Sequence, residues 1–194
     1  MSRSSGTTLG SVVESAIRCG IVTVFGEGVR RRNPGAVVNA VFAFTGTYLP
    51  DAVERLFDVE FRAWQRVYAG GAMLAHAVGM LGPYDDTWWW DHVTHTLSTT
   101  ILAGFVHAAA DRRGRDPAPR VFAVVVVAGL FWELLEYVIH AVSRRLGIEP
   151  ILVSYSAQDT LLDLVFDVLG ATLVLVFGDR LLGNFAPDAE PRDG

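Results

Sequence analysis

Lysine is absent from this chain, cysteine occurs once, and few apolar stretches run long without a charge. Each shortage excludes something. All sixteen basic residues are arginine, whose codons are GC-rich, so the bias reflects the genome and not a mechanism. Twenty-one acidic residues outweigh them and leave a net charge of −5. Nucleic acid is therefore excluded as a partner, because phosphate binding needs a basic face. The lone Cys19 rules out an internal disulfide and any multi-cysteine metal site. The opening stretch MSRSSGTTLGSVVESAIRCG lacks an uninterrupted apolar core and a small-residue cleavage pattern, so a cleaved signal peptide is not expected. Nucleophile elbow, phosphate loop and haem-attachment motifs are all missing.

What the chain does have is apolar bulk. Of its 194 residues 51% are hydrophobic and the mean hydropathy is +0.33, too apolar for an ordinary soluble domain. The expected fold is an all-α polytopic transmembrane bundle of about six spans, set in the cell membrane with the lipid bilayer as its first partner. Residues 1–183 read as one domain, and 184–194 have the composition of a disordered tail. The first helix, about 8–27, either spans or lies in the interface, with Glu14 and Arg18 placed to neutralise each other at i, i+4. The second starts with Asn33 as N-cap and Pro34 in the first turn and runs to Leu49, before an interfacial helix in DAVERLFDVEF. The third, about 62–81, carries Gly71, Ala75 and Gly79 as a small packing face. The fourth, about 88–109, opens with Trp88, Trp89 and Trp90 at the headgroup level. The fifth, about 119–142, holds the most apolar run, and the sixth covers about 159–183.

With six spans, ten arginines fall on the side of the termini and five (Arg30, Arg31, Arg32, Arg144, Arg145) on the other, which puts the termini in the cytoplasm. A five-span alternative, with the second segment re-entrant, would bring the triple arginine inside.

Ionisable side chains sit at helical spacing within these spans: Asp91 and His95; Glu133, Glu136 and His140; Asp159, Asp163 and Asp167. Each such group is worth on the order of 2.5–3.5 kcal/mol against insertion, so a functional site is the default reading. The start of the fourth helix, the end of the fifth and the start of the sixth share one face of the membrane. At 1.5 Å per residue, Asp91, His140 and Asp159 fall near the surface, His95, Glu136 and Asp163 roughly 6–9 Å in, and Glu133 and Asp167 roughly 12–13 Å in. His76 reaches the middle layer from the third helix. Six carboxylates then share a layer with three histidines and no arginine. They cannot all be ionised at such range, so protons, a bound cation or both must balance them. Oxygen-rich ligation with imidazole suits zinc, iron or manganese, and an all-carboxylate subset would suit magnesium or calcium. The candidate metal ligands are His95, Glu136, Asp163, Asp91 and Asp159, and the candidate catalytic set is Glu133, Glu136, Asp163 and His95.

Structural roles compete for several of these positions. Asp91 and Asp159 could be helix N-caps, His140 could answer a helix dipole, and His76 and His107 could be packing histidines.

The ordered motifs LPDAVERLF, WWWDHVTH, FWELLEY and QDTLLDLVFDVLGA resemble the YjdF-like family of uncharacterised inner-membrane proteins, over roughly residues 35–180. The positions carried by that resemblance are Asp91, His95, Glu133, Glu136, Asp159, Thr160, Asp163 and Gly170. A looser likeness links the chain to VanZ-like membrane proteins. Three function classes remain open: a metal-dependent membrane enzyme acting on a lipid or envelope metabolite, with Glu133 or Glu136 as general base; a proton- or cation-coupled transporter; and a scaffold whose polar cluster ties helices together.

Overall fold

The computed structural model describes residues 3–153 and 155–185, with side chains from residue 9 onward. It is helical throughout the described residues: α1 Arg3–Arg31, α2 Pro34–Gly46, α3 Leu49–Phe57, α4 Ala63–Gly79, the short α5 Pro83–Asp86, α6 Trp90–Asp111, α7 Pro117–Leu146 and α8 Ala157–Leu181, closed by a single 3-10 turn at Gly183–Phe185. Four segments are long and apolar enough to cross a membrane, namely Leu9–Arg31, Pro34–Phe57, Pro117–Leu146 and Ala157–Leu181.

The two remaining long helices of the six-span expectation, α4 and α6, run inside the bundle. Close approaches fix their directions. Gly10 meets Ala63, Gly70 meets Ile17 and Gly20 meets Leu74, so α1 and α4 run the same way. Gly46 lies against Met73 and Gly35 against Met80, which sets α2 antiparallel to both. In the second half, His92 pairs with Asp163 and His107 packs on Gly178, so α6 and α8 run parallel. Gly129 of α7 lies against Asp167, and α7 runs between them in the opposite sense. The molecule is thus two three-helix groups, α1–α2–α4 and α6–α7–α8, joined where α4 meets α6. Each has its own apolar core, Ile17, Ile21, Val24, Ala40, Ala43 and Ala77 in the first, and Ala103, Val121, Val125 and Ala171 in the second. The polar α6 is enclosed by α4, α7 and α8, so it need not be apolar all round.

The local signals explain most boundaries. Asn33 caps α2 by accepting from the Ala36 amide, and Pro34 follows in the first turn. Pro50 opens α3 as a separate amphipathic helix, bounded by Asp58 in the left-handed region. Gly147 ends α7 with a positive φ. Glu14 and Arg18 pair at 3.6 Å, as their spacing implies.

Three expectations are corrected. The small face of α4 keeps Gly79 but takes Gly70 in place of Gly71. Gly71 faces open space, while Gly70 and Gly79 receive Ile17 and Tyr84, with Ala72 and Ala77 buried beside them. Asn184 and Phe185, assigned by composition to a disordered tail, are tied down. Asn184 accepts from Gln65 and donates to the Glu60 carbonyl, and Phe185 is buried with its ring 4.8 Å from that of Phe61. Residues 186–194 of that tail lie outside the described residues. Finally, neither Asp91 nor Asp159 is an N-cap. Trp89 precedes α6, and Ser156 caps α8 by accepting from the Asp159 amide, which puts Asp159 in the first turn.

The triple arginine is less awkward than its count suggests. Arg30 and Arg31 both bond Glu27 at 2.5 Å, and Arg31 also donates to the Leu81 carbonyl, so much of that positive charge is answered in place.

Candidate functional site

The loops before α6 and before α8 meet at one end of the bundle. Tyr155 donates to Asp85 at 2.7 Å across them. Burial and the neighbouring Asp85 carboxylate push the Tyr155 hydroxyl well above its ordinary range, so it stays a donor. Beneath this strap the ionisable groups of α6, α7 and α8 converge.

His95 is their hub. Its Nδ1 lies 3.2 Å from Asp167 Oδ1, which also accepts from Thr99 at 2.6 Å. Holding Nδ1 with a carboxylate orients the ring and turns Nε2 toward the centre. That Nε2 faces Asp91 Oδ1 at 3.8 Å, Glu133 Oε1 at 4.0 Å and Asp163 Oδ1 at 4.0 Å. These three distances are too long for hydrogen bonds. Among the described residues Glu133 Oε1 is buried without a hydrogen-bond partner of its own, although the Thr160 hydroxyl bonds the Glu133 carboxylate. A buried oxygen in that state is costly unless something answers it.

Around an ion bound at about 2.1 Å per ligand, neighbouring ligand atoms stand about 3.0–3.5 Å apart, so the approaches to His95 Nε2 would close by about half an ångström and wider gaps, up to 4.8 Å, by more than an ångström. The donors fit a divalent cation in kind as well as spacing: one imidazole with its far nitrogen on a carboxylate, and oxygens from three helices. Asp91, His95 and Asp163 form one group able to hold a metal ion, with candidate ligand atoms within 4.8 Å of each other, and His92, Asp159 and Asp163 form another.

Each predicted site residue can now be placed. His95, Asp91, Asp163 and Asp159 belong to these groups. Glu133, which depth counting set a layer below, comes within 4.0 Å of His95 Nε2 at the edge of the first group but belongs to neither. Glu136, counted level with His95, accepts instead from the Trp132 indole at 2.8 Å and stands outside both groups. The reason is that α7 overshoots the starts of α6 and α8 by more than a turn, ending at Leu146, so its end does not mark the same plane. Asp167 comes in as the support of His95. His140 is outside both groups. His76 bonds Ser98 and Tyr84, each at 2.7 Å, and Tyr84 donates to Thr94 at 3.3 Å, a chain that ends at Asp91. His107 fills the gap left by Gly178 and pairs with the exposed Asp179 at 3.3 Å, far from the centre.

His92 is the residue that sequence reading missed. It is 2% exposed, donates to Asp163 at 2.7 Å and stacks on Phe166 with ring centroids 5.0 Å apart. Its spacing of three from His95 was the available signal.

A cavity of about 310 Å³ opens the centre to the outside, lined by Tyr84, Trp88, Asp91, His92, Tyr155 and Asp159 among others. A larger one, about 750 Å³, lies at the opposite end with mainly apolar walls such as Phe57, Trp64, Phe105 and Phe177, and none of the site residues borders it.

Fold and site together define a helical membrane protein with a buried carboxylate–histidine centre near one end of its bundle. The chain belongs to the DUF2238 family, described as a predicted membrane protein, whose model matches residues 14–184. It is similar to an uncharacterised protein of Thermotoga maritima, 24% identical over 153 residues, which are 72% of this chain and 75% of that relative. No solved structure matches it.

Proposed function

We propose that this protein is a metal-dependent enzyme of the cell membrane, acting at the outer face on a lipid or envelope metabolite. One observation carries the reading: His95, its Nδ1 held by Asp167, directs Nε2 at three carboxylate oxygens, one of which is the orphaned Glu133 Oε1. The ordered motifs support placing the chain with the YjdF-like proteins, and the arginine bias supports the outer face.

In this reading Asp91, His95, Glu133 and Asp163 hold the cation, with zinc, iron or manganese favoured by the mixed donors. A cation so held would polarise a phosphoryl or acyl oxygen and lower the pKa of a bound water. Glu136 takes the general-base role, because it stands beside the ligands and not among them, oriented by Trp132. Substrate enters through the polar cavity beneath Trp88 and Tyr155.

Two features weigh against the rivals. A transporter needs a polar route onward, whereas the residues buried below the centre include an apolar cluster of Ala103, Val121, Val125 and Ala171. A scaffold would pair every buried oxygen with a donor, and among the described residues Glu133 Oε1 stands without one, Thr160 being the one hydroxyl that bonds its carboxylate.

Metal analysis of detergent-purified protein tests the reading. At least one equivalent of divalent metal is expected, with His95→Gln reducing it severely. Wild-type protein that holds no stoichiometric metal, and gains no thermal stability when metal is added, would overturn it.

A further inference from the structure

We propose that the centre holds two cations bridged by Asp163, which rests on the metal reading above and extends it. The two candidate ligand groups share a single residue. Asp91 and His95 belong to one, His92 and Asp159 to the other, and Asp163 alone belongs to both.

Asp163 is built for that position. It is 2% exposed, and its Oδ1 lies 2.7 Å from His92 Nδ1 and 4.0 Å from His95 Nε2. The two imidazoles are three residues apart on α6 and so stand one above the other on its α8-facing side. The arrangement gives each cation one histidine, one carboxylate of its own and one shared carboxylate. Glu133 completes the position around His95. At the position around His92, the cavity of about 310 Å³ that borders His92 and Asp159 leaves room for water and substrate as the remaining ligands.

Charge points the same way. Asp91, Glu133, Glu136, Asp159, Asp163 and Asp167 crowd one end of three helices, and among the described residues none forms an ion pair with an arginine. Crowded carboxylates that cannot all ionise unaided can do so as cations bind among them, and two cations answer more of them than one. Paired ions at about 3.5–4 Å also supply what a single ion cannot, a clamp on both the attacking and the leaving oxygen of a displacement.

The test uses the full chain in detergent, stripped with a chelator and titrated with Mn²⁺ alone, counting bound ions and recording electron paramagnetic resonance. Two ions per chain are expected, with the isolated-ion signal of the first equivalent lost as the second couples to it through the bridge. Asp159→Asn, a half-buried position that leaves the Ser156 cap intact, and His92→Gln should each retain one uncoupled ion. A wild-type chain that binds one ion, unchanged by Asp159→Asn, overturns the second position and leaves the single-metal function standing. Two ions that never couple, and that both survive Asp163→Asn, overturn the bridge. A chain that binds none overturns this inference together with the reading beneath it.

Discussion

A Cβ added to Gly129 would lie 2.5 Å from Asp167 Oδ2. The missing side chain on α7 is therefore the space in which the α8 carboxylate stands while it holds His95. Gly129→Ala tests whether that space matters. On helix propensity alone the change should stabilise α7 by about 1 kcal/mol. Instead it should push Asp167 off His95 and weaken metal binding about 10–100-fold, the usual penalty for losing the partner of a ligating histidine. Metal titration beside a thermal melt separates the two effects. Unchanged affinity would mean that Asp167 does not orient the ring.

Glu133 gives a prediction of opposite sign for the loaded and stripped protein. With metal removed, its Oε1 is a buried acceptor with no donor, a state worth about 1–3 kcal/mol against folding. Glu133→Gln should therefore raise the melting temperature of the stripped protein by roughly 2–6 °C while shrinking the gain on adding metal. A variant that melts lower in both states would place Glu133 in a structural bond.

Asp163→Asn distinguishes chemistry from helix tying. Asn keeps the shape and hydrogen-bonding reach of Asp without its charge. A helix-tying bond in lipid averages about 0.6 kcal/mol and rarely exceeds about 2, so expression and thermal stability should stay near wild type. Function, read by complementation of a deletion strain, should be lost. His107→Gln, at the other end of α6, should complement with a mild defect. Full complementation by Asp163→Asn would sink the active-site reading.

The strap between Tyr155 and Asp85 requires residues 82–90 and 147–156 to share one face. Cysteines placed at Asp86 and Gly147 in a Cys19→Ala background should both react with an impermeant reagent added outside whole cells. Labelling from opposite faces would dismantle the centre.

The parts of this site that could be read in advance are those set by spacing within one helix. Asp159, Asp163 and Asp167 lie four apart on α8, and two of them do turn inward, each less than 5% exposed. Asp91 and His95 likewise share a face of α6. What could not be read is set by where one helix stands against another. The overrun of α7 exchanged the expected places of Glu133 and Glu136, and no pattern in the sequence records how far a helix projects. His92 was hidden for a different reason. A search at four-residue steps from Asp91 passes over it, although the three-residue step from His95 faces the same neighbour. On α4 the expected Gly79 does pack, but Gly71 gives way to the adjacent Gly70, because the position of Ile17 on α1, which no spacing within α4 records, decides between them.

The parallel pairing of α6 with α8 has a consequence for how the protein is made. Asp91, His92 and His95 enter the bilayer with α6, and Glu133 follows with α7, yet their partners Asp163 and Asp167 leave the ribosome last. Until α8 arrives, the nascent chain holds costly ionisable groups in or near lipid without their partners. A chain arrested before residue 163 should therefore leave α6 poorly inserted and open to proteolysis, and completion of α8 should be the step that commits the whole second half to the membrane.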